Sequence, residues 1–127
     1  MGKYIVELLG TFFLVTTIGC VVIEPGAGGL APIAIGAALM VMVFAGGHVS
    51  GAHYNPAVTL AVFFRGKCPA LDVIPYVVAQ VAGAAAAAFV VGYLKPTLPA
   101  APLDLADHVP QAFAAEFLFT FALAWVV

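Results

Sequence analysis

The feature that most constrains this chain is an apolar run too short for its setting. Residues 57–64 are almost wholly apolar, lie between much longer apolar stretches, and follow Asn55-Pro56. Eight helical residues reach only ~12 Å, less than half of a hydrocarbon core of about 30 Å. Asn is a favoured N-cap because its side-chain oxygen accepts from backbone N–H groups two or three residues on. Pro suits the first helical position, where its missing N–H costs nothing. The pattern predicts a half-helix over residues 56–64 that enters the membrane and leaves on the same side. Irregular backbone is expected before it, over residues 46–53. Such backbone survives at membrane depth only when buried in protein or lining a wet cavity. With its oxygen used by the cap, the Asn55 amide keeps its N–H groups free, as a rigid donor at bilayer depth.

The membrane setting follows from composition. The chain is 65% hydrophobic and 8% charged, whereas a soluble domain carries about 25% charged residues. Four stretches, residues 4–23, 31–47, 73–94 and 109–127, have about the length of a membrane span, near 20 residues. The chain length fits a single domain. A secretory signal over residues 1–23 is the competing reading of the first stretch, with Lys3 as its basic region and Ala27 near a cleavage point. Against it stand the length of the apolar run and the early Glu7. A net charge of −2 and the lack of a basic cluster exclude a nucleic-acid partner. Cys20 and Cys68 are expected near opposite membrane faces as unpaired, small apolar fillers. His48 and His53 have no third ligand at suitable spacing, so no metal site is expected.

Lys3, Arg65 and Lys67 define the cytoplasmic side by the positive-inside rule. The N-terminus is then cytoplasmic. The connections at residues 24–30 and 95–108, which carry Glu24, Lys95, Asp104 and Asp107, are external. An internal repeat also begins: Glu7 with Leu9, Thr11, Phe12 and Leu14 matches Glu116 with Leu118, Thr120, Phe121 and Leu123. Three spans and a half-helix, followed by a span that restarts the pattern, form an odd-numbered unit whose second copy would be inverted. Inverted repeats with half-helices meeting at the midplane are best attested in transporters.

From His53-Tyr54-Asn55-Pro56-Ala57 through Val58-Thr59-Leu60-Ala61, the chain resembles the signature of the aquaporins, the major intrinsic protein family, at every position. The likeness runs from Glu7 to Val127. It implies an all-α membrane protein: the first repeat of a right-handed helical bundle, with three spans, one re-entrant half-helix and part of a fourth span. The family has six spans and two Asn-Pro-Ala half-helices. The expectation is therefore a partial domain, truncated before its second Asn-Pro-Ala, with a natural half-length protein that assembles in pairs as the alternative.

The resemblance also implies roles. Asn55, Pro56 and Ala57 form the pore motif. The carbonyls of Gly51, Ala52, His53 and Tyr54 would line the pore as a ladder of acceptors on extended backbone. Ile35, twenty positions before Asn55, takes the place of a selectivity-filter residue; it lacks an aromatic wall and leaves glycerol, urea or another small neutral solute open. Glu7 reads as a buried acceptor for the loop's N–H groups, with a proton relay as the rival. His48 reads as a loop brace, with a pH gate as the rival. Gln80 reads as a further brace or as a lone polar residue facing a neighbouring helix. Glu116 would support the second loop.

The reading is a passive channel for water or small uncharged solutes in the plasma (inner) membrane, with no cofactor and no enzymatic reaction. The family's tetramer, a pore in each subunit, is carried over by resemblance. A glycerol or small-solute facilitator, a non-conducting half-subunit and a proton-coupled transporter built on Glu7, His48, His53 and Glu116 are the rival readings.

Overall fold

The computed structural model describes residues 1–96 and 108–127. The part of the external connection carrying Asp104 and Asp107 lies outside the described residues. Five α-helices follow one another: α1 (Gly2–Val22), α2 (Ala31–Ser50), α3 (Pro56–Phe64), α4 (Ala70–Leu94) and α5 (Val109–Val126), with a 3₁₀ turn at Gly28–Leu30 leading into α2. No strand occurs among the described residues. α1, α2, α4 and α5 are long and apolar enough to cross a membrane. The chain is a multi-pass membrane protein.

Burial is arranged for lipid rather than water. Gln80, Glu7 and Thr59 are among the largest fully buried side chains, whereas Phe44, Phe64, Phe89 and Tyr93 are each about 80% exposed. An apolar exterior with a polar interior suits a solvent of acyl chains, which hydrates no polar group.

Small residues bring the spans together. A Cβ at Gly83 of α4 would overlap the Leu8 carbonyl of α1 and come within 3.2 Å of Phe12 N. One turn from the other end, a Cβ at Gly19 would lie 2.7 Å from Val91 Cγ2. The backbones of α1 and α4 therefore touch, as expected where packing alone drives helix association in lipid. The face of α4 turned inward runs Asp72, Tyr76, Ala79, Gln80, Gly83, Ala87 and Val91, a helical spacing that aligns its polar members along one stripe.

The half-helix α3 has defined signals at both ends. Asn55 caps it, with Oδ1 accepting from Ala57 N at 2.8 Å. At the other end Gly66 takes a φ of +71°, Gly66 N donates to Phe63 O, and Lys67 N donates to Val62 O. These two bonds form a Schellman motif, in which a glycine supplies the left-handed residue. Val58 and Val62 bury against Cys68, with Phe63, Val73 and Leu123 packed around them.

One boundary differs from the sequence expectation. α2 continues through Ser50, so residues 46–50 are helical, and the irregular segment is only Gly51–Asn55. Gly46 and Gly47 do not break the helix. At Gly46 the missing side chain makes room for the Tyr54 hydroxyl and Val6, and this close approach offsets the poor helix propensity of glycine.

Candidate functional site

The five residues between α2 and α3 carry the site. Gly51 ends α2 at φ +86°. Ala52 and Tyr54 follow with φ of +53° and +50°. The backbone here is left-handed at three of four positions, which corrects the extended ladder expected over residues 51–54. Left-handed backbone is unfavourable for residues with a Cβ and persists only when its surroundings over-determine it.

Glu7 supplies much of that determination. Its Oε1 accepts from Ser50 Oγ at 2.7 Å and from His53 N at 3.0 Å. Its Oε2 accepts from Tyr54 N at 2.7 Å and from Gln80 Nε2 at 2.8 Å. One fully buried carboxylate thus joins α1, the end of α2, the loop and α4. An acceptor-only group in lipid needs such donors, since none comes from the solvent.

The network extends outward from Gln80. Its Nε2 also donates to Thr59 Oγ1 at 2.9 Å. Thr59 Oγ1 donates to Asn55 O at 3.2 Å and lies 3.1 Å from His53 Nδ1. With the hydroxyl proton directed at Asn55 O, the Nδ1–H tautomer of His53 donates to Thr59 Oγ1, while the buried Gln80 Oε1 has no partner among the described residues. Tyr76 OH donates to Ser50 O at 2.7 Å, and its ring lies 5.0 Å from that of His53. Ser50 Oγ also accepts from Ala52 N at 3.0 Å. At the end of the same α4 stripe, Asp72 accepts from Lys3 Nζ at 2.6 Å and from Tyr4 OH at 2.7 Å.

Beside the loop is an open cleft of about 430 Å³, lined by one face of α2 (Gly36, Leu39, Met40, Val43, Phe44), by Gly51, Ala52 and His53, and by the end of α5. Half-buried Asn55 stands at the positive end of α3. Its Oδ1 is used by the cap, and its Nδ2 makes no hydrogen bond among the described residues.

The structure brings Glu7, Gln80, His53 and Asn55 into one network and leaves three expected residues apart. His48 is an exposed residue of α2 with no hydrogen bond among the described residues; the bracing expected of it falls to Tyr76, Ser50 and Thr59. Ile35 is half-buried and does not line the cleft; Gly36 does. Successive helical residues differ by about 100°, so a count along the chain does not specify which neighbour faces the loop. Glu116 is exposed on α5 beside Phe113, Phe117 and Thr120. The Tyr54 carbonyl is also diverted, accepting from Thr11 Oγ1 at 3.3 Å. Sequence reasoning gave no site role to Ser50, Thr59, Tyr76 or Thr11, although Thr11 stands in the internal repeat. Ser50 and Thr59 border the motif already singled out, and Asp72, Tyr76 and Gln80 recur every fourth residue, a signal that was available.

The model of the family described as Major intrinsic protein matches residues 1–127. The chain belongs to the major intrinsic protein family. Among curated relatives, Aquaporin NIP1-3 of Oryza sativa subsp. japonica is 43% identical over 98% of this chain and 46% of its own length. Aquaporin Z of Photorhabdus laumondii is 37% identical over 91% of this chain and 57% of its own. Glycerol uptake facilitator protein-like 6 of Lactiplantibacillus plantarum is 37% identical over the whole of this chain and 62% of its own. The chain spans about half the length of the curated relatives it matches.

Proposed function

We propose that this chain builds one side of a passive membrane channel for water or small uncharged solutes. The observation that carries the reading is Asn55: its oxygen is locked by Ala57 N, its amide N–H groups make no hydrogen bond among the described residues, and it caps the positive end of a half-helix two residues after His53, which lines the cleft. A solute would donate to loop carbonyls along the cleft and accept from Asn55 Nδ2. The helix dipole opposes cations at that point, hydronium included. No covalent step and no cofactor enter.

Carbonyls of Gly51, Ala52 and His53 are the acceptors in this reading, with the Tyr54 carbonyl shared with Thr11. The wall facing α3 would come from polypeptide equivalent to the remaining half of the relatives. The family's tetramer and a plasma (inner) membrane location with a cytoplasmic N-terminus complete the proposal.

A small-solute facilitator is the second reading. It is favoured by the apolar lining of Leu39, Met40, Val43 and Phe44 and by the relative named as a glycerol uptake facilitator. Proton coupling is disfavoured because the Glu7 carboxylate already accepts from four donors and does not line the cleft.

Stopped-flow permeability of proteoliposomes tests these readings. The 127-residue chain alone is expected to match empty liposomes, and flux should appear when the complementary spans are supplied. Flux that follows the solute gradient and ignores a pH gradient supports a channel; flux driven by pH would overturn it.

A further inference from the structure

Tyr54 is clamped by more elements than any role as filler requires. It is 4% exposed and left-handed at φ +50°. Its N–H donates to Glu7 Oε2 and its carbonyl accepts from Thr11 Oγ1, both on α1. Its ring lies between Gly10 of α1 and Gly46 of α2, where a Cβ on either glycine would overlap the ring or the hydroxyl. Its hydroxyl donates to Met42 O of α2 at 2.8 Å. Every polar atom of this residue is engaged, and each partner sits on α1 or α2.

We infer that Tyr54 is the positioning residue that aims Asn55, acting through the backbone they share, with its phenol hydroxyl as the distal anchor. This inference rests on the channel reading for its consequence but not for its geometry. The next residue, Asn55, is extended at φ −151°, so the chain reverses between the two. A left-handed residue held only at its backbone could relax toward the ordinary right-handed region and rotate Asn55 out of the cap. The Met42 bond prevents this because it pins the far end of a rigid side chain about 6 Å from Cα, by the covalent dimensions of tyrosine. A ring without the hydroxyl would fill the same cradle without that anchor.

The readout is the cap itself. Ala57 N donates to Asn55 Oδ1, so exchange of the Ala57 amide with deuterium reports whether Asn55 is aimed. In the full membrane-inserted protein, Tyr54→Phe should raise Ala57 exchange about fivefold or more, the change expected for loss of one typical hydrogen bond, while the melting temperature in detergent changes little. Thr11→Val, which removes the bond to the Tyr54 carbonyl, should raise it independently. In proteoliposomes that conduct, both variants should also lower solute flux and admit protons. Wild-type Ala57 exchange in Tyr54→Phe and Thr11→Val would overturn the inference and leave Tyr54 as a cradle filler, a role that Tyr54→Leu would disturb but Tyr54→Phe would not. If the parent protein conducts nothing, the channel reading fails, yet the exchange comparison still decides the role of Tyr54.

Discussion

Glu7 of α1 and Gln80 of α4, 73 residues apart, meet at 2.8 Å in the interior. The contact joins the two helices whose backbones touch at Gly83 and Leu8, and from it the loop before α3 is held. Glu7 orients the loop N–H groups, and Gln80 passes the restraint through Thr59 to His53 and Asn55. The half-helix therefore depends on polar bonds to the spans as well as on its own packing.

Removing the Glu7 acceptor should be more damaging than neutralising it. Glu7→Leu strands Ser50, His53 N, Tyr54 N and one Gln80 proton in a buried site, at ~1–3 kcal/mol for each unsatisfied group. Glu7→Gln keeps one carbonyl oxygen and should retain part of the fold and function. Melting in detergent should rank wild type above Gln and Gln well above Leu. Equal stability of the two variants would remove Glu7 from its bracing role.

Asn55→Asp should leave the fold intact and alter what passes. Aspartate still caps α3, but when ionised it donates nothing and adds negative charge where the helix end opposes cations. In the channel completed with its complementary spans, water flux should fall and cation leak should rise. Ion exclusion unchanged from wild type would show that Asn55 is not the central donor.

Glycines divide into two groups. Gly83→Ala drives a methyl into the Leu8 carbonyl and Gly10→Ala drives one into the Tyr54 ring, whereas Gly36 and Gly92 have open space at the same position. Overpacking a close contact costs about 1–3 kcal/mol or more. Gly83→Ala and Gly10→Ala should lower the melting temperature by several degrees. Gly36→Ala and Gly92→Ala should be neutral or slightly stabilising. Similar melting temperatures for all four would contradict the close α1–α4 approach.

Cys68 should label slowly and late in a pH series. It is buried beside Val58 and Val62, and burial, aided by the nearby Asp72 carboxylate, pushes its thiol pKa up. A raised pKa keeps the unreactive thiol form to higher pH, because the thiolate is the nucleophile. In a Cys20→Ala background, maleimide labelling should be at least ~10-fold slower than that of an exposed thiol near neutral pH. It should accelerate only on the alkaline side of an ordinary cysteine. Fast labelling at neutral pH would mean that α3 does not cover Cys68.

The sequence alone determined the membrane setting, the number of apolar spans among the described residues and the start of α3. Each of these is local. Apolar run length reports a span, and the Asn-Pro pair writes its helix start into adjacent residues. The presence of Glu7 and Gln80 inside apolar spans also announced buried polar work, since neither is tolerated in lipid without a partner. Which partners they take was decided by the tertiary structure. Glu7 meets Gln80 where Gly83 lets α1 and α4 touch, and Tyr54 reaches Met42 where Gly10 and Gly46 leave room. The same dependence explains the differences at His48 and Ile35. Helical rotation and the late end of α2 decide which side chains face the loop, and both are properties of packed helices rather than of spacing along one chain.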